Sequence, residues 1–215
     1  YVNVNLHLHM SADLSILGVM AYVPADRLPQ QERSRLTLGR LLAATISTLD
    51  EVGLENATIP RIARKAEVSP ATIYRRFANK QALLRAAFLH MLERGNQANR
   101  QHAGEMLGHG SLEHAVRALI DNFFAQFRQH ASLLRALSLF METDEDLAFV
   151  EAAQAIEKDN MGQVVQAMLA HRAEISHPEP ERALQIATLT VATTISTDNK
   201  VPDVFVASGG DFWGD

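Results

Sequence analysis

The sequence predicts an all-α fold, and two observations lead to this expectation, while a third limits the chemistry that the chain can carry. Apolar residues recur at three- and four-residue steps from Arg33 to about Ser196, which is the period of an amphipathic helix. Serine, threonine or asparagine precedes several of these stripes, where its side chain can cap the first turn of a helix. The 215 residues include no cysteine, which excludes a disulfide framework, a thiolate metal site and a cysteine nucleophile.

Charge divides the chain into a basic and an acidic part, although the formal net charge is only −5. Residues 33–94 carry eleven basic and five acidic residues, a net charge of +6. Residues 95–215 carry eight basic and seventeen acidic residues, a net charge of −9, and residues 1–32 supply the remaining −2. A basic domain joined to an acidic body is therefore expected, and only the basic part suits a nucleic-acid partner.

Residues 1–32 are expected to form an N-terminal arm ahead of the first helix. The apolar run LSILGVMAYV is too short to span a bilayer and follows no basic stretch, so the sequence indicates neither a membrane span nor a signal peptide. Met10 and Met20 are alternative natural starts of the chain. His7 and His9 alternate as on a strand, and a lone pair of this kind is weak evidence for a metal site.

Residues 33–79 are predicted to form three helices. The first is striped from Leu38 to Val52 and should end at Gly53, with glycine in the left-handed position. Thr58 can cap a short second helix that tolerates Pro60 in its first turn. Ser69 can cap the third, which has Pro70 at its first position.

The third helix is predicted to be buried on one side and to carry small and basic groups on the other. At 100° per residue, Pro70, Ile73 and Phe77 share the inner face. The outer side and its flanks hold Ala71, Thr72, Tyr74, Arg75 and Arg76. Two short helices joined by a tight turn with such a surface are typical of a helix-turn-helix.

This outer surface is suited to the major groove of double-stranded DNA. Small residues such as Ser69 and Ala71 at the start of the helix permit close approach, and Arg75 can reach guanine acceptors while Thr72 meets a methyl group or a phosphate. Tyr74, Arg76 and Lys80 are placed for the flanking phosphates, with Lys80 at the start of a further helix capped by Asn79. The alternative is that adjacent arginines serve only solubility.

The run TIPRIARKAEVSPATIYRRFANKQALL resembles the DNA-binding domain of the TetR/AcrR family of bacterial transcriptional regulators. The resemblance implies an all-helical homodimer with a small N-terminal DNA-binding domain and a larger helical domain that binds a small molecule and dimerises. It places DNA contacts at Thr58, Thr72, Tyr74, Arg75, Arg76 and Lys80. Glu67 stands where the family usually has glycine, which predicts either a strained turn or a reshaped one, and Arg76 replaces a common histidine.

The rest of the chain is predicted to be helical up to an irregular tail. We expect a linking helix over 80–101, an effector-binding and dimerisation domain over 102–200, and a tail over 201–215 that lacks a helical stripe. Ser111 is expected to cap one helix, Thr143 with Asp146 to cap another whose stripe includes Leu147, and a last helix to run from about Glu181 to Ser196.

The family resemblance suggests that some aromatic and methionine side chains of the body line an effector cavity. The candidates are Phe123, Phe127, Phe140, Met141 and Met168, and the absence of clustered cations favours a largely apolar or aromatic effector. The alternative is that these side chains are ordinary core. No pair among His102, His109, His114, His130 and His171 has the local spacing of a metal site, so neither a metal nor a cofactor is expected.

The sequence therefore favours a sequence-specific regulator in the cytoplasm, most simply a ligand-responsive repressor that binds a palindromic operator as a dimer. An enzyme is disfavoured because the chain lacks a phosphate-binding glycine loop, HExxH, GxSxG and a cysteine nucleophile. The rival interpretation is a helical interaction or signalling module that retains the helix-turn-helix without using it on DNA.

Overall fold

A computed structural model describes residues 30–197, which form seven α-helices, one 3₁₀ segment and no strand. The expected arm, apart from residues 30–32, and the expected tail lie outside the described residues. None of the described helices is both long and apolar enough to cross a membrane. The helices are α1 (Gln30–Asn56), α2 (Ile59–Lys65), α3 (Pro70–Tyr74), α4 (Lys80–Leu107), α5 (Leu112–Thr143), α6 (Leu147–Met168) and α7 (Pro180–Thr197), with the 3₁₀ segment at Leu169–Glu174. The expectation of an all-α fold is confirmed.

The helices α1 to α3 form a three-helix domain, called the head below. Its core, the head cluster, is made by apolar side chains of α1, α2, α3 and the start of α4, namely Leu41, Leu42, Ala44, Ile59, Ile62, Ala63, Ala66, Ile73, Leu83 and Ala87. The long first helix is interrupted at Gly53, as the sequence predicts, with φ 73°. Its ψ of 177° lies far from the left-handed helical value, so the chain takes an extended step there before a last turn up to Asn56.

The tight turn between α2 and α3 is kept although it lacks glycine. Glu67 adopts φ 56°, the left-handed conformation that side chains usually avoid. The turn is closed by a hydrogen bond from the Val68 N–H to the Ala63 carbonyl at 2.9 Å. Of the two outcomes that the sequence predicted for this position, the structure has the strained turn.

Capping side chains define where four helices begin. Ser69, Asn79 and Ser111 accept hydrogen bonds from backbone N–H groups of the first turns of α3, α4 and α5, as predicted. The fourth cap differs from the prediction, because Asp146 alone caps α6 and accepts from the Phe149 N–H at 3.2 Å. Thr143 instead ends α5 and donates to the Leu139 carbonyl.

Helices α4 to α7 form the body. The linking helix α4 continues to Leu107, beyond the expected limit at residue 101, and α5 has a kink at His130. The prediction for Leu147 was wrong, because this side chain is 73% exposed at the start of α6. Phe149 and Ala153 are buried instead. The reason is that α6 begins at Leu147, after the Asp146 cap, and not directly after Thr143.

Head and body share part of their core. The central cluster joins Leu49 of α1 and Ala57 to body residues that include Leu133, Leu137 and Phe140. A second body core, the distal cluster, lies further from the head and contains Ala103, Leu107, Ala115, Leu119, Phe123, Val164, Val165, Met168, Leu184 and Ala192. The head is therefore held against the body by packing of α1 on α5 as well as by the continuous helix α4.

Candidate nucleic-acid interface

Helix α3 is anchored by one face and presents the other to solvent. Ile73 is fully buried in the head cluster, whereas Ser69, Ala71 and Arg75 are exposed and Tyr74 is 56% exposed. Since α3 has only five residues, its direction is fixed by the Ser69 cap and by the packing of Ile73. The surface that the sequence predicts for DNA is thus accessible and rests on a rigid base.

Three side chains of this surface form a hydrogen-bonded row. The Ser69 hydroxyl accepts from the Thr72 N–H at 3.2 Å and lies 3.0 Å from the Thr72 hydroxyl. Arg75 Nη2 donates to Thr72 Oγ1 at 3.2 Å. A guanidinium has five N–H donors, so this contact positions the Arg75 side chain and leaves donors for a base edge or phosphate.

Arg76 connects α3 to the first turns of α1. Its Nη2 donates to the Ser34 hydroxyl at 2.9 Å and to the Ser34 carbonyl at 3.3 Å. Arg33 and Arg35 flank Ser34 and are exposed, so α1 adds positive charge beside α3. Sequence reasoning counted these two arginines in the basic segment without assigning them to the site, because only the fold brings the start of α1 next to α3.

Lys80 is half-buried and already has a partner. Its Nζ donates to the Leu54 carbonyl at 3.0 Å, just beyond the break at Gly53. Burial lowers the pKa of the Lys80 ammonium. This lysine therefore ties the start of α4 to the end of α1, and its contact with a phosphate stays a prediction.

Thr58 occupies the cap position of α2 without a side-chain capping bond, and it is exposed. Arg61 and Arg64 on the same helix are exposed as well. Two acidic side chains of the head lie against cations, because Glu51 pairs with Lys65 and the exposed Glu67 lies 3.9 Å from Arg40. The Lys65 hydrogen bond is the main cause that lowers the pKa of Glu51. The outer face of α2 and α3 consequently keeps a positive balance.

The five expected effector contacts do not form one group. Phe140 and Met141 belong to the central cluster, whereas Phe123 and Met168 belong to the distal cluster. Phe127 is half-buried and packs against both. Phe140 also contacts the rings of Phe88 and Phe149 at centroid distances of 5.3 and 5.5 Å, which is ordinary aromatic core packing.

Between the two clusters lies a set of buried polar residues that sequence reasoning missed. This polar layer comprises Asn96, Asn99, Gln126, His130, Glu157 and Asn160, all at most 7% exposed. The available signal was their position in the apolar stripes: Gln126 and His130 follow Phe123 by three and seven residues, and Glu157 follows Ala153 by four. The layer is internal to the body and distinct from the exposed surface of α3.

The buried histidines are held by hydrogen bonds. His130 Nδ1 lies 2.7 Å from a carboxylate oxygen of Asp50, which joins α5 to α1. His171 Nε2 lies 2.7 Å from the Leu107 carbonyl. Each ring has a structural partner, consistent with the sequence-based preference for structural histidines over metal ligands.

Comparisons with known proteins point to one family. Residues 41–87 match the sequence model described as "Bacterial regulatory proteins, tetR family". The HTH-type transcriptional regulator BetI from Escherichia coli is 31% identical over 115 residues, which cover 53% of this chain and 57% of BetI. The chain thus spans little more than half the length of this curated relative.

Solved structures share the fold over about three quarters of the chain or more. FadR from Bacillus subtilis, in complex with stearoyl-CoA, superimposes with a TM-score of 0.55 at 18% identity, covering 74% of this chain and 85% of FadR. A TetR-family transcriptional regulator from Mesorhizobium loti superimposes with a TM-score of 0.56 at 14% identity, covering 81% and 97%. At these identities the likeness concerns the fold alone.

Proposed function

We propose that the chain belongs, through its N-terminal domain, to the tetR family of bacterial regulatory proteins, and that it is a transcriptional regulator that binds specific DNA. In its simplest form it is a repressor that binds a palindromic operator as a homodimer and releases it when a small molecule binds the body. The observation that carries the proposal is the hydrogen-bonded row Ser69–Thr72–Arg75 on the solvent-facing side of α3, in a basic domain. A chromosomal target would place the protein in the bacterial cytoplasm.

Base reading is assigned to α3 and to Arg75, which directly follows it. Ala71 has no long side chain to keep the helix away from the groove, and Arg75 can donate two parallel hydrogen bonds to guanine. Thr58, Tyr74 and Arg76 lie around this helix for phosphate contacts, which position the protein without reading sequence. Arg33 and Arg35 extend this positive rim on the α1 side.

Dimerisation is assigned to α7. Its buried side chains Leu184, Thr188 and Ala192 form a narrow stripe at four-residue steps that packs on the body of the same chain, with the partly buried Val191 beside it. Ile186 is 56% exposed and Leu189 is 44% exposed on the same helix. A second copy that covers these apolar side chains would bring two recognition helices to one palindrome.

Ligand response requires that the body and the head move together, and the packing supports such a link. Near the start of α1, Ser34 bonds to Arg76, which follows α3. Towards the other end of α1, Asp50 bonds to His130 of α5. Arg85 near the start of α4 is also paired with Asp144 and Asp146 at the junction of α5 and α6. A ligand that favours one arrangement of α4 and α5 would therefore alter the separation of the recognition helices.

The proposal is tested by mobility-shift assays of the purified protein with genomic fragments, including DNA upstream of its own gene. We expect one or a few fragments to bind in large excess of nonspecific competitor, with an inverted repeat protected in footprints. Binding to all fragments alike, or to none, would contradict the proposed function.

A further inference from the structure

The polar layer crosses the body at one level. On α4 it lies between Leu92 and Ala103, on α5 between Phe123 and Leu133, and on α6 between Ala153 and Val164. In each pair one residue belongs to the central cluster and the other to the distal cluster. Three helices therefore place polar side chains at the same height between two apolar cores.

One side of the layer is satisfied by contacts between α4 and α6. Asn99 Nδ2 donates to Asn160 Oδ1, and Asn96 Nδ2 donates to Asp159 Oδ2 at 2.8 Å. Gln163 Nε2 donates to Asn96 Oδ1 at 2.6 Å. The Asn96 hydrogen bond, together with Arg100, lowers the pKa of the Asp159 carboxyl. These bonds fix the spacing of the two helices and form a rigid wall.

The other side of the layer contains acceptor atoms that no described residue satisfies. They are Gln126 Oε1, His130 Nε2 and Glu157 Oε1, and the three residues are 3%, 3% and 7% exposed. An unsatisfied buried polar group is destabilising, so three in one layer are unusual for a finished core. Two further unpartnered atoms, Asn122 Nδ2 and Gln163 Oε1, lie one turn away along α5 and α6.

The chemistry of these three atoms is of one kind. Gln126 Oε1 is a carbonyl oxygen, and Glu157 Oε1 is a carboxyl oxygen. His130 Nδ1 faces a carboxylate oxygen of Asp50, which only accepts, so Nδ1 carries a proton; in the neutral imidazole this is the only ring proton, and Nε2 then has a lone pair. Burial without a cation beside it raises the pKa of Glu157 to about 8. A group with several N–H donors and a positive charge would satisfy all three atoms.

We propose that Gln126, His130 and Glu157 form the polar end of a ligand site that binds the protonated amino group of an organic amine. The apolar or aromatic part of the amine lies against Phe127, which borders both clusters, and Phe123. This inference rests on the proposed function, since it names the effector class of that regulator. It also gives the ligand a route to the head, because the ring that would accept from the amine bonds Asp50 of α1 through its other nitrogen.

The test measures amine binding without DNA. Hexylamine and phenethylamine are compared with hexanol and phenylethanol, which have the same apolar parts but no ammonium, by thermal shift and calorimetry on the full chain. We expect the amines to raise the melting temperature and to bind at least tenfold more tightly than the alcohols. Equal binding of amines and alcohols, or no binding of either amine, would overturn the site.

Variants locate the binding site. Glu157→Gln should remove the preference for amines, and Gln126→Met, which keeps the volume but loses the acceptor, should weaken amine binding severalfold. Glu151→Gln changes an exposed carboxyl on the same helix and should leave amine binding as in the parent protein. If Glu157→Gln and Gln126→Met both bind amines like the parent, the site is wrong.

A parallel operator titration separates this inference from the proposed function. Amine binding through Glu157 that leaves operator affinity unchanged would support the site and contradict the ligand response. Operator binding that no amine changes, with no amine bound, would leave the regulator standing and overturn the site.

Discussion

In the proposed function, Arg75 is the side chain that recognises a base. It is exposed, and its guanidinium is oriented by Thr72 over the outer face of α3. Replacing Arg75 with alanine should weaken operator binding and relax preference at one base pair, because a bidentate contact to guanine discriminates by about 1–3 kcal/mol. Arg128→Ala, which removes an exposed arginine of the body, is the matched control and should leave affinity unchanged. Equal losses on operator and random DNA would show that Arg75 contacts only phosphate.

Glu157 makes stability depend on pH. Burial raises the pKa of Glu157 in the folded protein to about 8, so folding favours its neutral form. Below the pKa of the unfolded chain, this carboxyl does not change the unfolding free energy. As the pH rises from there toward 8, the carboxyl lowers the unfolding free energy progressively. Relative to Glu157→Gln, the parent protein should lose about 3 kcal/mol of unfolding free energy between pH 4.5 and 7.

Urea unfolding at several pH values measures this loss. The other ionisable groups of the layer and its rim, His130 with Asp50 and Asp159 with Arg100, are present in both proteins and cancel in the comparison. Glu151→Gln should follow the parent protein, since that carboxyl is exposed. Parallel curves for the parent protein and Glu157→Gln would contradict the prediction.

At the scale of single residues, local chemistry was readable from the sequence and tertiary partners were not. The caps at Ser69, Asn79 and Ser111 and the strain at Glu67 follow from rules about neighbouring residues, and all four are present. The bonds of Lys80 to Leu54 and of His130 to Asp50 join residues 26 and 80 positions apart. Only the folded chain brings such partners together.

At the scale of elements, α3 depends on its cap because it has only five residues. Ser69→Ala removes the bond to the Thr72 N–H and should lower the unfolding free energy by about 1 kcal/mol. Thr58→Ala is the matched control, since Thr58 holds the cap position of α2 without a capping bond and should cost clearly less. Chemical denaturation of both variants measures the difference, and equal costs would contradict the role of the Ser69 hydroxyl.

The elements of the head were predicted better than those of the body. Ser–Pro and Thr-x-Pro signals bound α2 and α3, so little besides local chemistry was needed. In the body α5 is kinked at His130, which no local signal in the sequence predicted, and α6 begins at a different cap. Polar residues such as Gln126 and Glu157 interrupt the stripes there, and the periodicity alone could not show that both are buried.

For the whole molecule, binding to a palindromic operator requires two copies of the chain. Ile186→Glu should raise the dimer dissociation constant at least tenfold, because it places a charge in the apolar surface assigned to the partner copy. Leu147→Glu alters a still more exposed apolar side chain at the start of α6 and should leave dimerisation intact. Sedimentation velocity across micromolar concentrations distinguishes the two variants. A parent protein that is monomeric with and without DNA would contradict the dimer.

The all-α fold class could be predicted from the sequence and is confirmed by the structure, and residues 41–87 match the tetR-family model, in line with the resemblance seen in the sequence. The arrangement of head on body could not, because it depends on packing between Leu49 of α1 and residues of α5 such as Leu133. The effector candidates show the same limit: Phe140 and Phe123 look alike in sequence and lie in different clusters.

Selection of bound sequences from a randomised DNA library tests the proposal that this chain reads DNA through α3. The parent protein should enrich one inverted repeat with half-sites in successive major grooves, whereas Arg75→Ala should lose preference at the same position of each half-site and Arg128→Ala should enrich the parent sequence. Enrichment of no sequence by the parent protein, or the same repeat with the same preferences from Arg75→Ala, would contradict it.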